Sequence, residues 1–292
     1  MKKQLRSRLM LIASMAIFGT MAPFVRSIGV TSGELALYRA ILAASLIGVF
    51  LLVTRQKIPF AGIKKELLLL LLSGMAMGFN WILLFEAYKY TTVSIATLSY
   101  YFAPVLVTAV SAILFREKLT GKQIFCFVMS TLGIVLVTGI GSLAAGGKNA
   151  IGIFFGLGAA VLYATCILIN KFIKNVDGIH RTFLQFLAAI VVVSPYVLMT
   201  SGITIGNLDA LGWVNLLIVG FFHTGVTYCM YFTALKHVTG QQVAILSYID
   251  PLVAVLISVT ILGESMTAVQ ALGGAMILGF TLWNELPAKK KG

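Results

Sequence analysis

Apolar residues run through this chain in long blocks separated by short clusters of charged and turn-forming residues. Ten blocks reach the roughly 20 mostly apolar residues that a spanning helix needs, at about 9–28, 34–53, 67–87, 92–114, 123–141, 151–172, 181–199, 211–233, 241–262 and 267–285. The breaks fall at Arg55–Lys65, Arg116–Lys122, Gly146–Asn149, Lys174–Gly178 and Ser201–Asp209. They carry turn and charge signals and are too short to hold a domain of their own. The pattern predicts an all-α, polytopic membrane protein with ten transmembrane helices.

Composition agrees. The 292 residues are 59% hydrophobic and 11% charged, with a mean hydropathy of +0.99; soluble chains average about 45–50% apolar and about 25% charged. Soluble, disordered and disulfide-stapled classes are excluded. The net charge of +13 would suit a nucleic-acid binder if it were clustered, but the basic residues lie between the apolar blocks. With the N-terminus inside, only Arg26, Arg39, Lys89 and Lys148 of the 22 Lys and Arg fall outside. That bias predicts both termini in the cytoplasm and a multi-pass protein of the bacterial cytoplasmic membrane. The lipid bilayer, not nucleic acid, accounts for the charge.

Basic Met1–Arg8 followed by apolar Leu9–Gly19 imitates a secretory signal. Pro23 would follow the cut that Thr20-Met21-Ala22 offers, which disfavours cleavage, so the segment is read as a retained first helix. Cys126, Cys166 and Cys229 lie inside apolar blocks without metal-ligand spacing, and predict neither a disulfide framework nor a metal site.

The chain repeats itself. Residues 85–123 align without gaps to 232–270, at an offset of 147. Identical pairs include Phe85/Phe232, Ala87/Ala234, Thr92/Thr239, Tyr101/Tyr248, Pro104/Pro251, Ser111/Ser258, Glu117/Glu264, Thr120/Thr267 and Gln123/Gln270. The opening helices match at an offset of 145, through Thr20/Thr165, Gly33/Gly178 and Leu42-Ala43-Ala44 with Leu187-Ala188-Ala189. Each copy holds five helices. An odd number sends the second copy into the membrane from the opposite side, so 1–145 and 146–292 are expected as two inverted repeats, an architecture of secondary transporters with a site between the halves.

Both halves close with proline, twelve residues, then Glu-x-x-Thr-x-x-Gln: Pro104…Glu117…Thr120…Gln123 and Pro251…Glu264…Thr267…Gln270. With Phe85-x-Ala87 and Phe232-x-Ala234, the chain resembles the EamA type of the drug/metabolite transporter superfamily over nearly its whole length. It departs where that family often has Trp-Gly in the first helix of each half; Phe18-Gly19 and Tyr163-Ala164 stand there. The resemblance implies ten helices and transport of a small metabolite. It implies no particular substrate.

Candidate chemistry sits at mid-membrane. Pro104 and Pro251 each remove a helix hydrogen bond and crowd the carbonyl one turn back, at Tyr100 and Ser247, so the fourth and ninth helices are expected to bend or break as hinges. Asp250 lies about ten residues, roughly 15 Å, into the ninth helix. A carboxylate there costs about 2.5–3.5 kcal/mol and needs a cavity or partner. Its repeat mate is Ala103, so the charge is not a product of symmetry. His223 falls at similar depth in the eighth helix, which makes Asp250 and His223 candidates for substrate binding or a proton relay. Asn80, Trp81, Tyr101, Tyr163, Asn170, Tyr228 and Tyr248 are candidates for a box that stacks a planar ligand or cages an ammonium, although Asp250 and Tyr248 lie about 160° apart on an ideal wheel. Ser94, Thr97, Tyr101, Pro104, Thr108 and Ser111 form one polar face of the fourth helix. Glu86 and Lys89 suit an interfacial ion pair. Arg39 is expected to snorkel or bond carbonyls, and Gly74-x-x-x-Gly78 and Gly152-x-x-x-Gly156 permit close helix contact.

The sequence therefore predicts a secondary transporter working by alternating access, proton-coupled in one version, for an amine, an amino acid or a related zwitterion. A channel or facilitator and an intramembrane enzyme are the alternatives. No P-loop, metal-ligand cluster or nucleophile elbow is present, so no enzyme activity, cofactor or metal is expected. A small-molecule substrate is the expected partner, and the protein is expected as a monomer or weak homodimer.

Overall fold

The computed structural model describes residues 2–56, 58, 60–114, 119–138, 147–176 and 178–286, and these are helical with no strand among them. Glu117 of the first closing motif, and the expected boundary between 1–145 and 146–292, lie outside the described residues.

Ten helical rods occupy the predicted runs among the described residues. The first is α1 (Lys2–Gly19) with α2 (Met21–Arg26); the second is α3 (Ser32–Val53), the third α4 (Phe60–Tyr90). The fourth is split into α5 (Val93–Tyr100) and α6 (Ala103–Leu114), and the fifth is α7 (Gly121–Thr138). The sixth and seventh are α8 (Lys148–Asn170) and α9 (Gly178–Thr200). The eighth runs from α10 (Ala210–Leu217) through a π-helical segment, Ile218–Val226, into α11 (Thr227–Leu235). The ninth is α12 (Gly240–Leu246) with α13 (Ile249–Thr260), and the tenth α14 (Ala268–Glu285). Seven of these stretches are long and apolar enough to cross a membrane, and Gly121–Val137 and Ile249–Thr260 are shorter apolar helices. The chain is a polytopic all-α membrane protein.

Local sequence explains several boundaries. Thr31, Thr92, Thr239 and Thr267 cap α3, α5, α12 and α14, each accepting a backbone N–H three residues on. The Thr-x-x-Gln of the closing motif is a capping box: Thr267 N donates to Gln270 Oε1 at 3.0 Å while Gln270 N donates to Thr267 Oγ1 at 3.2 Å. Thr120 and Gln123 make the same reciprocal pair ahead of α7.

Helix pairing has a symmetric form. α4 packs along α8 and α1 packs along α11; α3 meets the π segment and α9 meets α4; α13 meets α1, while α5 and α6 meet α8. Of the other major contacts, α3 with α9, α5 with α13 and α7 with α14 each join a rod to its repeat mate, while α3 with α4 joins neighbours in one half. Apart from that last pair, exchanging the first five rods for the last five reproduces the list. Both small-residue motifs serve contacts within the chain. A Cβ at Gly74 would lie 2.5 Å from the Gln185 carbonyl of α9, and one at Gly152 would lie 2.6 Å from Thr91. Two buried carboxylates hold loops in place: Glu34 on α3 accepts from Thr204 N and Ile205 N, and Glu66 on α4 from Lys174 N and Asn175 N.

Candidate functional site

The two prolines break their rods rather than bend them. In the fourth rod the break spans Tyr101 and Phe102, and in the ninth Ser247 and Tyr248. Each proline then falls in the first turn of the following half-helix, where an N–H would have no helical partner anyway. Asp250 lies in the first turn of α13, where the helix dipole favours a negative charge. α1 also ends there, at Gly19, inside the apolar run 9–28 that predicts one continuous helix. A Cβ at Gly19 would lie 2.5 Å from the Asp250 carbonyl and 2.7 Å from Val253 Cβ, so only glycine permits this approach.

Around this junction the bundle gathers polar and aromatic side chains. The Tyr101 hydroxyl donates to Asp250 Oδ2 at 2.6 Å. Arg39 of α3 is linked to the same junction through packed rings, lying over Trp81, which meets Phe186, which meets Tyr228. It is 4% exposed; its guanidinium lies 4.4 Å from the Trp81 ring centroid and its Nε donates to Thr224 Oγ1 at 2.8 Å. This corrects the expectation of a snorkelling arginine: a cation over an aromatic face gains about 2 kcal/mol or more once desolvated, and α3 turns Arg39 inward with its buried stripe of Ala36, Ala40, Ala43 and Ile47. No direct ion pair joins Arg39 to Asp250. Tyr163 packs on Tyr100 with ring centroids 5.3 Å apart, and Tyr228 meets Phe18 and Phe186 edge-on. Asp250, Tyr100, Tyr101 and Tyr228 each keep some accessible surface.

The π-helical segment sets the other wall. Thr224 and Thr227 donate their hydroxyls to the carbonyls five residues back, Val219 and Phe222, at 2.7 and 2.8 Å. The wider turn places His223 against Thr20, with Nε2 3.1 Å from Oγ1, and against the Phe24 ring. His223 and Asp250 thus flank the α1–α2 break from opposite sides, and no hydrogen bond joins them.

Other candidates are engaged elsewhere. Asn80 donates to the Ala159 carbonyl at 2.6 Å, joining α4 to α8. Asn170 accepts from Gln185 Nε2 at 2.7 Å, and Gln185 also donates to Ser73. Tyr248 is buried, and its hydroxyl has no hydrogen-bond partner among the described residues. On the fourth rod, Ser94 and Thr97 are buried, and Ser111 accepts from Lys171 Nζ at 2.9 Å. Glu86 pairs with Lys89 at 3.0 Å.

The two ends of the bundle differ. At the end opposite the termini, Arg26 of α2 pairs with Glu264 and donates to the Tyr88 and Thr91 carbonyls. Glu264 also accepts from Val93 N at 2.8 Å and from the Ser258 hydroxyl, while Ser94 N donates to Ser258 Oγ at 3.2 Å. This network ties the start of α5 to the end of α13. At the end carrying the termini, a cavity of about 360 Å³ opens between Thr108, Ser111, Lys171, Gln123 and Asn284.

The profile of the EamA-like transporter family matches twice, over residues 5–139 and 150–284. An uncharacterized transporter of Bacillus subtilis strain 168, YxxF, is 30% identical over 91% of this chain and 85% of its own length. An uncharacterized transporter of Archaeoglobus fulgidus is 27% identical over 94% of this chain and 95% of its own. A solved crystal structure superposes with a TM-score of 0.64 at 17% identity, covering 94% of this chain and 95% of that one, which shows the fold. The chain is a multi-pass membrane transporter and belongs to the EamA-like transporter family.

Proposed function

We propose that the protein moves a small polar metabolite by alternating access, with the substrate held between the two halves at the Asp250 site and the broken fourth and ninth rods as hinges. The observation that carries this is the unequal closure of the two ends. A hydrogen-bonded seal joins α2, α5 and α13 at one end, while a cavity opens at the end carrying the termini. A channel would need a continuous path; a carrier exposes its site to one side at a time. The double family match and the symmetric helix pairing support reading 1–145 and 146–292 as an inverted pair. With both termini cytoplasmic, this conformation faces inward.

The site suits an amine, an amino acid or a related zwitterion, because Asp250 is an acceptor bonded to Tyr101, whose ring meets Tyr100 and through it Tyr163. The decisive experiment is counterflow in proteoliposomes: saturable uptake of labelled substrate, accelerated by unlabelled substrate on the far side. Flux that neither saturates nor shows trans-stimulation would make the protein a channel.

A further inference from the structure

Resting on that reading of the site, we propose that Arg39 is its second, fixed pole and that it selects ligands carrying both an anionic group and an ammonium. Three observations converge. Arg39 is 4% exposed, yet its only hydrogen bond among the described residues uses Nε, to Thr224. Its two terminal nitrogens, the fork that matches a carboxylate, are left for something else. Asp250 is likewise half used: its one hydrogen bond from a side chain among the described residues goes to Oδ2, from Tyr101. Finally, a chain of packed rings, Trp81, Phe186, Tyr228 and Phe18, runs from Arg39 to the contact of Gly19 with Asp250, and no ion pair joins the two charges.

A buried charge whose hydrogen bonds are incomplete is unfavourable until a ligand completes them. Here one cation and one anion lie at the two ends of that chain of rings, each held by a single hydroxyl rather than by its opposite. A simple amine would meet Asp250 but leave Arg39 unmatched and feel its repulsion. A simple carboxylate would meet Arg39 and be repelled by Asp250. A zwitterion such as an α-amino acid or a betaine completes both, with its carboxylate on the guanidinium and its ammonium between Asp250 and the tyrosine faces. Trp81 fixes the direction of the guanidinium from behind. Arg39 is thus the residue that rejects amines, and Asp250 the one that rejects acids.

The test is thermal stabilisation of the purified full-length protein with the twenty α-amino acids and glycine betaine. Matched triples follow, such as L-phenylalanine, phenethylamine and 3-phenylpropanoate. At least one zwitterion should raise the melting temperature, and its amine and acid analogues should bind about 10- to 100-fold more weakly, the scale of a lost hydrogen bond to a charge. Arg39→Gln should lose the zwitterion while gaining the amine; Asp250→Asn should lose it while gaining the acid. A purely structural role for either residue would not produce that crossed pattern. Arg39→Lys, which keeps the charge but loses the fork, should bind with intermediate affinity and guards against misfolding of the glutamine variant. An amine that binds as tightly as its amino acid overturns the proposal. So does an unchanged zwitterion affinity in Arg39→Gln, or no stabilisation by any of these zwitterions. Binding with the crossed pattern but no counterflow would leave this inference standing and defeat the transport mechanism; counterflow of another solute class would do the reverse.

Discussion

Two corners of the molecule are related by the repeat and yet stand in different states. The offset of 145 that aligns the opening helices carries Arg26 onto Lys171, and the offset of 147 carries Ser258 onto Ser111. At the corner opposite the termini, Arg26 reaches Glu264 and two backbone carbonyls, and Ser258 and Glu264 together take the first two N–H groups of α5. Those N–H groups are ones a helix start leaves without internal partners, so opening this end would orphan them. At the corner near the termini, Lys171 donates to Ser111 and both line the open cavity. Sequence symmetry places equivalent basic and hydroxyl groups at both ends, with a hydrogen-bonded network described at one and a cavity at the other; Glu117, the repeat mate of Glu264, lies outside the described residues. The difference in residue type points the same way. Arginine's planar fork serves several acceptors at once, and lysine offers a single flexible ammonium.

The largest expected effect is all or none and concerns which end faces which side. In a background where Cys126, Cys166 and Cys229 are replaced, Leu119→Cys should react with an impermeant thiol reagent only from the cytoplasm, and Lys148→Cys only from outside. The reversed pattern would keep the comparison but exchange its labels, turning the inward-facing conformation into an outward-facing one.

Next comes the seal. Arg26→Ala removes the cation from Glu264 and frees the Tyr88 and Thr91 carbonyls. A hydrogen bond to a charged group contributes about 1.5–3 kcal/mol, so the closed end should open about 10- to 100-fold more often. Labelling of Ser94→Cys, at a buried position behind the seal, reads this directly and should rise by that factor while counterflow falls. Labelling that stays at the wild-type level would show that the seal is static and that the two corners do not alternate.

Smaller effects are expected at the hinges. Pro104→Ala and Pro251→Ala should leave folded proteins, since alanine is the best helix former and is compatible with the first turn of each half-helix. Counterflow should slow by about tenfold because half-helices that fuse lose their freedom to move independently. If only one variant slows, the hinge role belongs to one half and the comparison sharpens; if neither does, both breaks are packing features.

Much of this was legible in the sequence, because hydrophobic length, proline and the repeat are local signals. The ten runs match ten rods, and the paired prolines mark the two breaks. Asp250 stood out because charge at that depth is unfavourable. Three features escaped. The break at Thr20 depends on Gly19 meeting the Asp250 carbonyl, a contact between residues 231 positions apart. The π segment had a faint signal in Gly220 and Gly225, five apart, which pack on Leu42 and Leu46, four apart on α3. A five-residue period on one helix facing a four-residue period on its neighbour is what a π turn resolves. Arg39 looked like a snorkelling residue because it lies near a helix start; its small neighbours at 36, 40 and 43 were the sign that this face meets protein instead of lipid. Asn80 and Asn170 tie helices together, a use of a buried amide that sequence alone does not distinguish from ligand binding.

The smallest prediction tests the comparison from its open side. If the cavity end stays open partly because residue 171 offers one ammonium where residue 26 offers a fork, then Lys171→Arg should make the two corners more alike. The longer planar group can hold Ser111 Oγ and reach backbone carbonyls as well, as Arg26 does at Tyr88 and Thr91. Contacts of partly solvated cations are weak, so the shift should be only about two- to fivefold. Thr108→Cys, which lines the cavity, reports it as slower labelling from the side carrying the termini, with Ser94→Cys labelling rising in step as the opposite end opens. The reciprocal change matters more than its size. A fall at Thr108→Cys without a rise at Ser94→Cys would mean the arginine merely shields its surroundings. An unchanged rate at both positions would mean that the difference between the corners lies in the packing of α5 against α13 and not in the basic residue at all.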